Sequence, residues 1–312
     1  MTQPKALGII NEVRKAIVGK DTVICKTLMA IIAGGHVLLE DNPGVGKTTM
    51  ALAFSRAMSM RFARVQFTPE TMPSDVVGYS VPAGEGGKLE YRPGAIMCHL
   101  FLADEINRTS SKTQSALLEA MEEGQVTVDG VSRRLPNPYT VIATQNPLGT
   151  AGTQPLPESQ LDRFMLRLSI GYPTAEQEMD ILKQTEDKRP LENIRAAATL
   201  EEVVRMRAEA AGVHVADDLY RYVADLCTAT REDPALRLGA SPRAGQALIR
   251  VCRASAWMAG RDYIVPADIH LLFHDVMCHR VVLEPQARIS GSDAHSVLEG
   301  VLSRVPAPKL LR

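Results

Sequence analysis

The spacing of apolar positions changes character near residue 172. Between 36 and 170, short apolar runs of strand length alternate with stretches of helical period. That alternation predicts a parallel α/β sheet with helices on both faces. The runs at 36–40, 62–67, 98–103, 138–144 and 165–170 read as strands, and 48–59 and 111–122 as helices. Upstream, 5–33 reads as two helices, with Asp21 capping the second and Gly34-Gly35 ending it. After Tyr172-Pro173 the period is helical throughout, giving amphipathic helices over 175–185, 200–210, 217–230, 243–258 and 267–280. The chain therefore divides into an α/β domain over 1–172 and an all-α domain over 173–312.

Two segments interrupt the α/β rhythm. The first, 68–96, carries Thr68-Pro69, Met72-Pro73, Gly84-Glu85-Gly86-Gly87 and Arg92-Pro93-Gly94, and reads as loops with a short hairpin. The second, within 123–138, alternates on either side of Asp129-Gly130, a strong hairpin signal.

Composition narrows the function classes. A chain of 312 residues with 45% hydrophobic and 23% charged positions is ordinary for a two-domain globular protein. A net charge of −1 provides no field that would draw the chain to nucleic acid or anionic lipid. Aromatic content of 4% argues against a base-stacking platform. The start has no signal-peptide core, and the greasy stretch 28–39 is interrupted by Gly34, Gly35 and His36, too short to span a bilayer. Five scattered cysteines without a C-x-x-C spacing suit buried thiols in a reducing compartment, so the expected location is cytoplasmic.

The candidate chemistry begins after the first strand, in Asp41-Asn42-Pro43-Gly44-Val45-Gly46-Lys47-Thr48-Thr49. A Gly-rich turn between strand and helix directs backbone N–H groups and a helix N-terminus at one anion. Lys47 suits the β- and γ-phosphates, and the Thr48 hydroxyl suits Mg²⁺. Asp41 stands where the usual pattern has Gly; with Pro43-Gly44 supplying the turn, it reads as a tolerated variation. An apolar strand then ends in Asp104-Glu105. Asp104 suits the hydration shell of Mg²⁺, and Glu105 suits the polarisation of an attacking water. Another buried strand ends in Gln145-Asn146-Pro147, where Asn146 can both donate to and accept from a lytic water and phosphate. Arg163, between Asp162 and Phe164, suits a guanidinium held at a packed surface to meet phosphoryl charge. In Ser241-Pro242-Arg243, Ser241 caps a helix, Pro242 opens it and Arg243 projects from its first turn. Taken singly, Asn146 reads as a turn residue and Arg163 and Arg243 as solvated surface arginines. The ordered set carries the signal. His270 and His274, at i, i+4 with His279 and Cys278 nearby, lack the Glu of an H-E-x-x-H site, so packed or surface histidines are favoured over a metal pair.

These elements resemble the AAA+ ATPases and, more closely, the MoxR family. The resemblance is carried by Asn42–Thr48, Gln66-Phe67-Thr68-Pro69, Leu102–Arg108, Ala143–Pro147, Leu161–Phe164 and Ser241–Arg243, and covers about 5–285. It implies an AAA+ P-loop NTPase fold with a helical lid, in which 68–96 is the helix-2 insert and 123–138 the pre-sensor hairpin. It further implies that Asn146 is the first sensor, Arg163 the arginine finger and Arg243 the second sensor, with Val18-Gly19 against adenine. It implies ATP and ADP as ligands with Mg²⁺, and a ring, commonly hexameric. The implied activity is chaperone-like maturation of protein complexes with a von Willebrand factor A domain partner. Because the finger is expected to face a neighbour's nucleotide, hydrolysis would need an oligomer. Alternatives from the same neighbourhood are the ATPase subunit of a metal chelatase, a nucleic-acid motor, and a nucleotide-gated scaffold of low turnover. Against the motor stands the absence of a basic stripe. Against the scaffold stand Lys47, Asp104, Glu105 and Arg163.

Overall fold

A computed structural model describes residues 3–83, 88–146, 155–187 and 190–308. Five strands form one parallel sheet: β1 (Val37–Glu40), β2 (Phe62–Gln66), β3 (Leu100–Asp104), β4 (Thr140–Gln145) and β5 (Leu166–Leu168), in the order β2-β3-β4-β1-β5. All five lie where the apolar runs predict. Both faces of the sheet are covered, and β3 shows how. Leu100 and Leu102 enter one hydrophobic cluster with Ile9, Phe54 and Ile142, while Phe101 and Ala103 enter another with Leu38, Leu117 and Val141. A strand buried on both faces reads as a continuous apolar run and not as an alternating one.

The strand order positions the chemistry. β1 lies beside β4, and β4 beside β3, so the carboxyl ends of these three strands are neighbours. The Gly-rich turn follows β1, Asp104-Glu105 closes β3 and Asn146 follows β4. Crevices at such strand ends are where open α/β sheets bind ligands.

The N-terminal helices run Pro4–Arg14 and Asp21–Ile32. Lys20, not Asp21, occupies the N-cap of the second; the Asp21 carboxylate instead accepts from Arg14 Nε at 2.8 Å. The helical part comprises Ala175–Asp187, Leu200–Ala211, Asp217–Glu232, Pro242–Met258 and Pro266–Met277, followed by Pro285–Ile289 and Ala294–Arg304, which the sequence reading did not separate out. Its core is continuous with that of the sheet: Met206, Leu248, Trp257 and Phe273 share one cluster with Ile24, Leu28, Leu39 and Phe54. No helix of the described residues is long and apolar enough to cross a membrane.

The insert contains a short helix, Pro73–Val77, and an antiparallel pair, Gly78–Ala83 with Lys88–Pro93; Gly84-Glu85-Gly86-Gly87 lies outside the described residues. The second hairpin pairs Gln125–Val128 with Val131–Arg134. Its turn residues Asp129 and Gly130 have φ of 52° and 74°. Two successive left-handed residues make the turn that matches strand twist, and Asp-Gly is a sequence that tolerates it.

Candidate active site

The helix Lys47–Ala57 starts at Gly46, whose φ of 94° is left-handed, and no side chain caps it. Its first N–H groups therefore face an open cavity of about 340 Å³, lined by Gly44, Lys47, Thr48, Thr49, Asp104 and Asn146 among others. Gly44 also has a left-handed φ, 85°. Asn42 and Val45 complete the turn; Asn42 Oδ1 is buried and has no hydrogen-bond partner. The Lys47 ammonium is buried and donates to the carbonyl oxygens of Asp41 at 2.5 Å and Asn42 at 3.2 Å. Burial pushes its pKa below the usual lysine range, opposed by the charges of Asp41, Asp104 and Glu105. An uncapped helix N-terminus, two left-handed glycines and a lysine held inward form a fitting cradle for a polyphosphate.

Opposite the cradle, Asp104 is held on both oxygens. Thr144 Oγ1 donates to Oδ1 at 2.6 Å, while Arg64 Nη2 and Nε reach Oδ2 at 2.8 and 3.1 Å. The Thr144 oxygen also accepts from Glu105 N at 2.8 Å, tying the end of β3 to β4. Glu105 has a φ of 56°, left-handed for a side chain that gains nothing from it, at a cost of about 1–2 kcal/mol. Its carboxylate pairs with Arg108 Nη1 at 2.8 Å. The Asn107 amide donates to the Asn146 carbonyl at 3.3 Å, fixing the residue that follows β4; Pro147 lies outside the described residues. The hard oxygens of Thr48 and Asp104 are the donor type that Mg²⁺ requires, and the Arg64 contact shows that Asp104 Oδ2 already faces a cation.

Arg64 and Gln66 line this cavity from β2, and neither was given a role from the sequence. Period-2 exposure along β2 is the only sequence signal for Arg64, and it marks solvent as readily as a site; Gln66 stands in a motif that carries the family resemblance but no role follows from it. Thr144 was hidden for a different reason: its hydroxyl acts from inside a buried run.

Three comparisons bear on this site. The family model described as ATPase family associated with various cellular activities (AAA) matches residues 36–166, and an AAA lid domain model matches 228–300. Chaperone MoxR1 of Mycobacterium tuberculosis is 36% identical over 96% of this chain and 82% of its own length, and Protein MoxR of Methylorubrum extorquens 33% identical over 96% and 94%. The chain belongs to the MoxR family of AAA+ ATPases. The uncharacterized protein YeaC of Bacillus subtilis is 44% identical over 96% of this chain and 93% of its own length. The crystal structure of a putative ATPase from Cytophaga hutchinsonii superposes with a TM-score of 0.91 at 36% identity, covering 98% of this chain and 95% of its own.

In this MoxR-family chain the remaining candidates fall into two places. Ile17, which precedes Val18 and Gly19 in the chain, is the residue that meets the phosphate cradle: its Cδ1 lies 3.7 Å from where a Cβ on Gly46 would stand. Gln177 Nε2 donates to the Gly19 carbonyl at 3.3 Å, and Lys20 Nζ to that of Tyr172 at 2.8 Å. Arg163 and Arg243, by contrast, line a separate cavity of about 340 Å³ on another side of the subunit. There they share one carboxylate: Glu122 Oε1 is 2.6 Å from Arg243 Nη2, and Oε2 is 3.3 Å from Arg163 Nε. Ser241 caps the helix that presents Arg243, accepting from Ala244 N at 3.2 Å, and Pro242 opens it as the sequence predicts. The three histidines part company: His270 meets Tyr222 Oη at 2.9 Å, His274 stacks on His295 at 4.0 Å, and His279 is buried against the Phe164 carbonyl.

Asp41 is no bystander. It is buried, and its carboxylate accepts from Ser169 Oγ at 2.9 Å and from the backbone N–H groups of Ile170 and Gly171, the latter at 3.1 Å. The expectation of a tolerated variation is corrected: the residue binds the P-loop to the segment that leaves β5.

Proposed function

We propose that this AAA+ ATPase binds ATP with Mg²⁺, hydrolyses it to ADP and phosphate, and uses the cycle to remodel or mature partner protein complexes. One observation carries the catalytic half: a left-handed Glu105 stands beside a doubly held Asp104 in the same cavity as an uncapped helix N-terminus and Lys47. Gly44, Gly46 and the N–H groups of Val45 to Thr49 hold the phosphates, and Lys47 turns from the Asp41 and Asn42 carbonyls to meet them. Thr48 and Asp104 hold Mg²⁺, which neutralises charge on the phosphoryl oxygens when bound. Glu105 orients the attacking water and takes its proton, while Asn146 fixes that water from the next strand. Val18 and Gly19, next to Ile17 at the cradle, are the residues proposed to meet adenine, on the strength of the family resemblance.

Arg163 and Arg243 stand outside this cavity. Lining a cavity other than the P-loop's, these guanidinium groups are taken to act on a neighbour's nucleotide, so the active unit is a ring, six subunits being the reading from the family resemblance. A von Willebrand factor A domain protein and a client complex are the partners proposed. The relative named Chaperone MoxR1 supports the remodelling half.

The test is ATP turnover by the purified chain and by Glu105→Gln. Loss of about 10²–10⁴-fold in turnover with nucleotide binding retained is the expected result for a missing general base. Undiminished turnover in Glu105→Gln, or none in the wild type at any protein concentration, would overturn the proposal.

A further inference from the structure

The helix Ala175–Asp187 is hard to account for in a single subunit. None of its described side chains, through Lys183, is buried. A helix of this length in water draws its stability from packing an apolar face. Yet Met179 and Leu182, one turn apart, are 49% and 65% exposed, and Tyr172 just before them is 69% exposed. The exposed charged positions are mostly acidic, Glu176, Glu178 and Asp180 outnumbering the single cation Lys183. Large apolar side chains clustered within an acidic rim mark a contact surface.

A surface of opposite character lies between helices Asp217–Glu232 and Pro242–Met258. It is a groove of about 560 Å³, walled by Tyr220, Ala224 and Thr228 on one side and Pro242 and Ile249 on the other. Arg231 and Arg250 line it. Both donate to backbone carbonyls, Arg231 to Ala240 and Arg250 to Ala33 and Gly34. Those bonds hold the guanidinium groups in place without cancelling their charge.

Gly245 forms part of the groove lining and sits within a helix, where glycine costs about 1 kcal/mol relative to alanine. Internal packing does not demand it. A Cβ there would meet Cys227 Sγ at 3.4 Å and Val223 Cγ1 at 3.5 Å, ordinary contact distances. What the glycine does is keep the groove deep.

We propose that this groove takes the helix Ala175–Asp187 of a second copy of the chain, with Met179 and Leu182 seated over Gly245 and the acidic rim against Arg231 and Arg250. Two placements support a head-to-tail contact. The groove shares Gln246 and Arg250 with the cavity that holds Arg163 and Arg243. The helix is linked to the other half of the active site, because Gln177 bonds to Gly19, two residues after the Ile17 that meets Gly46 of the P-loop. A contact that delivers Arg163 to the next subunit's nucleotide brings groove and helix to the same junction. The inference rests on the ring reading above and names the surfaces that build the ring.

Sedimentation velocity with ATP tests it, using two variants. One carries Met179→Asp with Leu182→Asp; the other carries Ala224→Glu with Gly245→Leu. Circular dichroism establishes that both are folded. Each alone is expected to need at least about tenfold more protein to assemble than the wild type, the loss of roughly one well-packed anchor. Mixed in equal amounts they should form a heterodimer and stop, because one intact groove and one intact helix remain between them. Assembly of either variant alone at wild-type concentration overturns the inference and leaves the ATPase reading standing. A wild type that hydrolyses ATP yet never assembles overturns this inference and the ring reading together, leaving hydrolysis itself intact.

Discussion

Asp41 occupies a position where the usual phosphate-loop pattern places glycine, and its carboxylate is committed to Ser169, Ile170 and Gly171. Restoring the usual residue is therefore expected to harm the protein. Asp41→Gly removes a charged acceptor from three donors at a buried site and adds backbone freedom to the unfolded chain; a loss of about 3 kcal/mol follows. Urea denaturation measures it, and an unchanged midpoint would return Asp41 to the status of a tolerated substitution. The same residue shows where sequence reading stops. Gly44, Gly46, Lys47, Asp104 and Glu105 are legible because each motif is contiguous and its chemistry is local. The partners of Asp41 lie 128 to 130 positions away, and Arg64 reaches Asp104 across 40. No spacing rule joins such pairs, because register in a parallel sheet sets them.

At the scale of elements, long periodic segments were legible and short ones were not. All five sheet strands, the helix Ser111–Glu123 and the Asp129-Gly130 hairpin fall where pattern places them. The helix Pro73–Val77 was missed because five residues show no period; capping sustains it, with Asp75 Oδ2 accepting from Met72 N at 2.9 Å. His36, at the mouth of β1, joins two elements that pattern cannot relate. Its Nδ1 accepts from Val141 N at 3.0 Å on β4, so Nε2 carries the proton and donates to the Met121 carbonyl at 3.1 Å on helix Ser111–Glu123. Complete burial lowers its pKa from 6.5 to about 4, with Arg207 and Arg250 adding to the shift against the Met121 bond. The unfolded chain thus takes up this proton first as pH falls. Stability is full above about 6.5 and declines between 6.5 and 4, by about 2 kcal/mol at pH 5 from this group alone. Denaturation at pH 7.5 and 5, with an NMR titration showing a neutral His36 at pH 5, checks the sign and the origin. An imidazole that titrates near 6.5 in the folded protein would refute it.

Across the whole molecule, the two arginines proposed for catalysis are paired with Glu122, in a cavity separate from the P-loop's. Partly exposed pairs of this kind contribute about 0–1 kcal/mol each, so Glu122 orients them without resisting their transfer to a stronger anion. A neighbour's γ-phosphate, with more charge and more acceptor oxygens, is such an anion. If the proposed site is shared between subunits, its two halves are separable by mutation. Arg163→Ala should keep nucleotide affinity while losing about 10³-fold or more in turnover, the scale of a missing arginine finger. Lys47→Ala should abolish turnover by losing its own phosphate contact. In an equimolar mixture, the junctions that pair an intact Lys47 with an intact Arg163 come from unlike neighbours, and random assembly in a head-to-tail ring makes them about a quarter of the total. Turnover in the mixture is therefore expected to rise to about a quarter of the wild-type value although neither parent is active. If Arg163 served its own subunit, every subunit in the mixture would carry one defect and the rate would stay at the floor of the parents, so the assay separates a shared site from a self-contained one in a single titration.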